Sequence, residues 1–95
     1  MALYLISYDI ADKDKAEYQS LWDALGNMEA TKILYSEWVV PGDPGTAADI
    51  YESLSPLIRE SDRLLVQELA ANAAWDKLLI SDASFKAAIG KHARF

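Results

Sequence analysis

Chemistry has few places to reside in this 95-residue chain. There is no cysteine, which removes disulfides, thiolate nucleophiles and thiolate zinc sites. His92 is the only histidine, so a two-histidine metal site is excluded and nucleophilic relays have a single imidazole to draw on. Its plainer reading is a solvated surface side chain. Gly26, Gly42, Gly45 and Gly90 match neither the phosphate-loop nor the dinucleotide spacing. Carboxylates and hydroxyls remain. Asp9 leads them, because it follows the apolar run 3–8 and so sits where a strand ends at the rim of a sheet. A carboxylate there suits a hard divalent cation such as Mg²⁺ or Mn²⁺, given further oxygen ligands from other elements. The plainer reading is a turn-forming Asp that accepts local backbone hydrogen bonds. Tyr8 and Ser36 complete the candidate set. Ser36 reads as a nucleophile, a substrate contact or a turn residue. Trp22, Trp38 and Trp75 are rings on which bases could stack; Trp22 falls on a helical apolar stripe and reads as core.

These side chains need elements to hold them. Residues 2–8 are β-prone, with Tyr4, Ile6 and Tyr8 alternating against Leu3 and Leu5, so both faces of this strand want cover. After a polar turn with Asp12 and Asp14 as possible N-caps, Asp14 and Glu17 form a capping-box-like start. Tyr18, Leu21, Trp22 and Leu25 then hold helical spacing, with Gly26-Asn27 as the expected stop. Residues 31–40 are extended and read either as one strand or as two with a corner near Tyr35-Ser36. Pro41-Gly-Asp-Pro-Gly45 is expected to end the ladder. Thr46 and Asp49 suggest a second capped helix, strongest over 46–55 and distorted at Pro56. Residues 63–69 read as a strand, 72–79 as a short helix and 82–92 as another, with Ser81 as its cap.

Splitting 31–40 gives the order βαββαβ, an α+β chain of the ferredoxin-like kind. Two helices cover one face of an antiparallel sheet, and a C-terminal helical appendage follows. The expectation is one domain over residues 1–95, with its core in 2–69 and the appendage in 70–95. Either that appendage or a second subunit must cover the other sheet face.

Charge narrows the partners. Nine Lys and Arg against fifteen Asp and Glu give −6, with eleven acids and four bases in residues 1–60. Nucleic-acid binders carry a basic patch whose phosphate contacts release counterions. The only such patch here is Lys86, Lys91, His92 and Arg94. The balance disfavours a constitutive nucleic-acid binder and leaves a metal-bridged one open. No apolar run reaches the roughly 18 residues of a membrane span. The N-terminus has no basic region of the kind that opens a signal peptide. A cytoplasmic location is the default expectation. A chain this small buries only about 60–65% of its unfolded surface, which makes oligomerisation the expected supplement to its core.

The string Leu3-Tyr-Leu-Ile-Ser-Tyr-Asp-Ile10, followed by a polar turn and an amphipathic helix, resembles the second CRISPR-associated, endoribonuclease-like protein family. That family's relatives include the virulence-associated protein D toxins and short bacterial proteins labelled SinR-like. Ser36-Glu-Trp38 with Val39-Val40 looks like its serine-containing junction between the second and third strands. Asp62-Arg-Leu-Leu-Val-Gln-Glu-Leu69, followed by Ala-Ala-Trp75, looks closest to the SinR-like branch. The resemblance spans residues 3–80. It implies a ferredoxin-like homodimer whose sheets face each other, with Asp9 of both subunits approaching one shared divalent metal. The activities implied are metal-dependent cleavage of RNA or DNA phosphodiesters, through polarisation of a phosphoryl oxygen or generation of hydroxide, and a scaffolding role in spacer integration.

Three departures bear on activity. Lys13 and Lys15, each beside an acid, stand where arginines are common in the family. The net charge is unfavourable for gripping a duplex. The region beyond Glu68 does not read as the family's final swapped strand. The expectation is therefore a non-catalytic or degenerate binding or scaffold member, with a protein partner allowed. The alternatives are a metal-dependent nuclease built on paired Asp9 and a toxin–antitoxin-type ribonuclease.

Overall fold

The computed structural model describes residues 2–10, 18–69 and 76–90, with side chains described through residue 87. The elements are β1 (Ala2–Asp9), α1 (Gln19–Asn27), β2 (Thr31–Leu34), β3 (Glu37–Gly42), α2 (Ala47–Leu54), β4 (Arg63–Glu68) and α3 (Asp82–Gly90). The four strands form one sheet in the order β2-β3-β1-β4, and every neighbouring pair is antiparallel. The protein is thus a small α+β structure with a four-stranded antiparallel sheet and three helices among the described residues.

Period-two alternation in β1 sends its side chains to opposite faces. Tyr4, Ile6 and Tyr8 enter one cluster with Leu21 and Leu25 of α1, Val40 of β3 and Leu54 of α2. Tyr4, Ile6, Leu21, Leu25 and Leu54 are wholly enclosed. Each such side chain is worth about 1.5–3 kcal/mol relative to exposure, so this layer dominates the stability. On the other face Leu3 joins Ile33, Val39 and Phe85, with Leu78 and Ile80 packed alongside. The C-terminal segment therefore covers the Leu3 end of the second face.

The corner in residues 31–40 is real. β2 and β3 are two strands joined at Tyr35 and Ser36. Pairing slips between Lys32↔Trp38 and Leu34↔Glu37, so Ile33 is an extra residue in β2. Such a bulge frees a backbone group from the ladder. The Ile33 carbonyl accepts the Leu79 N–H at 2.9 Å, which ties the C-terminal segment to the sheet edge.

Several local expectations need correction. β3 runs through Pro41 to Gly42 instead of stopping before them. Leu3, opposite Pro41, turns its carbonyl to the Leu69 N–H, so the proline occupies a non-hydrogen-bonded pair and its missing donor interrupts nothing. α1 ends at Asn27, where the Gly26-Asn27 stop is expected, but the residue that turns the chain in the left-handed region is Glu29, whose φ is +62°. Ala30 N–H reaches the Leu25 carbonyl at 3.0 Å and Glu29 N–H reaches the Gly26 carbonyl at 3.1 Å, the paired bonds of a Schellman ending. Thr46 precedes α2 without a side-chain cap bond, because its hydroxyl donates to the Asp43 carbonyl at 2.7 Å. α2 passes into a 3-10 turn over Ser55–Leu57, the distortion expected at Pro56. Residues 76–80 are bends and irregular backbone where the helix expected over 72–79 would end, and residues 72–75 of that expectation lie outside the described residues. Ser81 caps α3 as expected, its Oγ accepting the Ser84 N–H at 3.1 Å. Asp12, Lys13, Asp14, Lys15, Glu17, Trp75, Lys91, His92 and Arg94 lie outside the described residues.

Candidate functional site

Three elements meet at one end of the sheet: the end of β1, the β2–β3 corner and the start of β4. Asp9 closes β1 and stands opposite Arg63 in the β1–β4 register, with Ser7 opposite Leu65. Ser7 is also opposite Glu37 of β3. Alternation puts Ser7 and Asp9 on the face of Leu3 and Leu5, beyond the part covered by Phe85. A shallow groove of about 220 Å³ opens here, lined by Ser7, Tyr8, Asp9, Arg63, Leu64 and Leu65. Leu65 is 50% exposed within it. The Asp9 carboxylate meets the Arg63 guanidinium at 3.6 Å, and both side chains stand largely in solvent.

Tyr8 points the other way. As Asp9's immediate neighbour in a strand it must project from the opposite face, and its ring is buried in the helix-covered core. Its hydroxyl accepts the indole N–H of Trp38 at 3.0 Å and that of Trp22 at 3.2 Å. This gives Trp22 and Trp38 a common task in fixing one core hydroxyl between α1 and the sheet. Ser36 is exposed in the corner and contributes its backbone, the carbonyl accepting Tyr8 N–H at 3.1 Å. Asp9, Tyr8 and Ser36 are thus gathered at one end of the sheet, yet the Tyr8 hydroxyl and the Asp9 carboxylate face opposite sides of it. Among the described residues, no group of three or more His, Asp or Glu stands together in a way that could hold a metal ion.

Two features escaped sequence reading. Arg63 opens β4 as an ordinary charged strand residue, and only the register shows that it faces Asp9. At the opposite end of the sheet, Tyr4 and Glu68 anchor the loop before α2. Tyr4 Oη lies 2.8 Å from Glu68 Oε1 and 2.6 Å from the Asp43 carbonyl, and accepts Thr46 N–H at 2.9 Å. Glu68 Oε1 also accepts Gly45 N–H at 2.8 Å. The Gly45 amide, and after it the Tyr4 hydroxyl, hold the Glu68 carboxyl below its usual range, against a smaller opposing effect of desolvation. Gly45 takes φ +77°, a conformation that suits glycine. No helix among the described residues is long and apolar enough to cross a membrane. No family model matches the chain.

Proposed function

We propose that this chain is a dimer-forming binding or scaffold protein of ferredoxin-like fold, akin to the SinR-like branch of the CRISPR-associated endoribonuclease-like family, and that it does not cleave nucleic acid. The order βαββαβ and the arrangement β2-β3-β1-β4, with α1 and α2 sharing one core cluster, support the fold reading.

One observation carries the functional reading. Among the described residues, the C-terminal segment covers the second sheet face around Leu3, Ile33 and Val39, while Leu65 lies half exposed beside the Asp9–Arg63 pair. A small apolar surface rimmed by paired opposite charges suits association with a second copy, because an isologous contact needs a self-complementary patch. Chemistry is poorly served by the same place. General acid–base work requires groups that converge on one reacting atom, and the Tyr8 hydroxyl is committed to two indoles on the far face.

The deciding experiment incubates labelled RNA and DNA with the protein in Mg²⁺ or Mn²⁺, alongside D9A, and runs sedimentation velocity on the same samples at micromolar concentration. The expected result is a dimer without cleavage. Divalent-dependent cleavage that D9A abolishes would establish the nuclease reading instead, and a monomer would remove the scaffold reading.

A further inference from the structure

The family resemblance gives Asp9 a divalent metal, and the surroundings of Asp9 supply a different cation. We propose that Arg63 is the resident counter-ion of Asp9 and excludes Mg²⁺ or Mn²⁺ from its carboxylate.

The pair is specified by the fold. Asp9 and Arg63 are direct cross-strand partners, a placement that brings Cβ atoms to about 4.5–5.5 Å. The guanidinium lies 3.6 Å from Asp9 Oδ2. Hard divalent cations need several oxygen ligands, and a guanidinium offers five donors and no acceptor. Arg63 therefore fails as a metal ligand and repels the ion from its neighbour. An exposed ion pair of this kind adds little to stability, so its consequence lies in which cation the carboxylate accepts. In a face-to-face dimer each subunit would bring its own neutralising charge, and association would need no metal. The pair itself lies within one chain, so the proposal holds whether or not the dimer does.

Manganese-induced broadening of backbone amide resonances tests it residue by residue in the full chain. The exposed α2 carboxylates Asp49 and Glu52 serve as an internal reference. In the wild type, amides of residues 8–10 and 63–65 should broaden no earlier in the titration than those around Asp49. R63Q, with R63A as a second variant, should bring that broadening in at about tenfold lower Mn²⁺, the order expected when a unit charge a few Å from a dication is removed. D9N/R63Q should return it to the wild-type position. Early broadening around Asp9 in the wild type, or no change in either Arg63 variant, would overturn the proposal. Sedimentation of the wild type in EDTA probes the dimer separately. A monomer there removes the scaffold reading and leaves the manganese comparison intact.

Discussion

Tyr4 and Glu68 join strands β1 and β4 through a 2.8 Å hydrogen bond from hydroxyl to carboxylate, and the same carboxylate oxygen accepts the Gly45 amide. The bond bridges the sheet to the loop that launches α2. Because these donors favour the ionised form, the folded-state pKa of Glu68 lies below its unfolded value. The stabilisation is then fully present above the unfolded value and is lost as pH falls through the folded one. Thermal melts from pH 7 down to pH 2 should show an acid-side loss of stability that Glu68→Gln reduces. An unchanged acid limb in that variant would remove Glu68 from the account.

Tyr8→Phe should destabilise the protein by about 1–3 kcal/mol, because two partly buried indole donors lose their shared acceptor. Urea denaturation measures it. The contrasting variant is Ser36→Ala, whose backbone bond survives and whose exposed side chain should change stability by less than about 0.5 kcal/mol.

Glu29→Gly should raise the melting temperature, since Glu29 ends α1 at φ +62° without the freedom of glycine. The expected gain is of the order of 0.5–1 kcal/mol. Gly45→Ala is the converse: φ +77° puts a Cβ into an unfavourable region, and stability should fall by about 1 kcal/mol or more.

Leu65→Lys should leave the monomer folded, because Leu65 is already half exposed, and should abolish self-association measured by sedimentation. Leu3→Lys differs in kind. Leu3 is only 3% exposed, and an unpaired charge there should unfold the chain or strip Phe85 from the sheet.

The alternation of Tyr4, Ile6 and Tyr8 against Leu3 and Leu5 was legible because burial on both faces leaves a period-two record in the residues themselves. The helical stripes of α1 and α2 were legible for the same reason. The ends of elements were harder. Glu29 carries no compositional sign of a left-handed backbone, and Thr46 resembles a helix cap although the Asp43 carbonyl claims its hydroxyl. Pro41 reads as a strand breaker until the register shows its nitrogen beside an unbonded pair. At the candidate site, Asp9 was visible as a strand-end carboxylate, and its neighbour Arg63 was not. Their meeting depends on pairing between strands far apart in sequence, which no local pattern encodes.

The bond from Leu79 to the bulged Ile33, together with Phe85 lying against Leu3, has a temporal consequence. Leu3 sits in β1, which is synthesised well before α3, the helix that brings Phe85 to cover it. Until residues 78–85 emerge, the nascent sheet lacks the cover that Leu78, Ile80 and Phe85 give Leu3 and Val39. Truncation after Glu68 reproduces that moment permanently. Such a fragment holds the four described strands and both core helices, and should be sticky: it should bind a hydrophobic dye and clump on warming, while the full chain refolds cleanly from urea. Long-range pairings of this type also slow folding relative to a helical bundle of equal length, which lengthens the interval in which the unfinished face is on view.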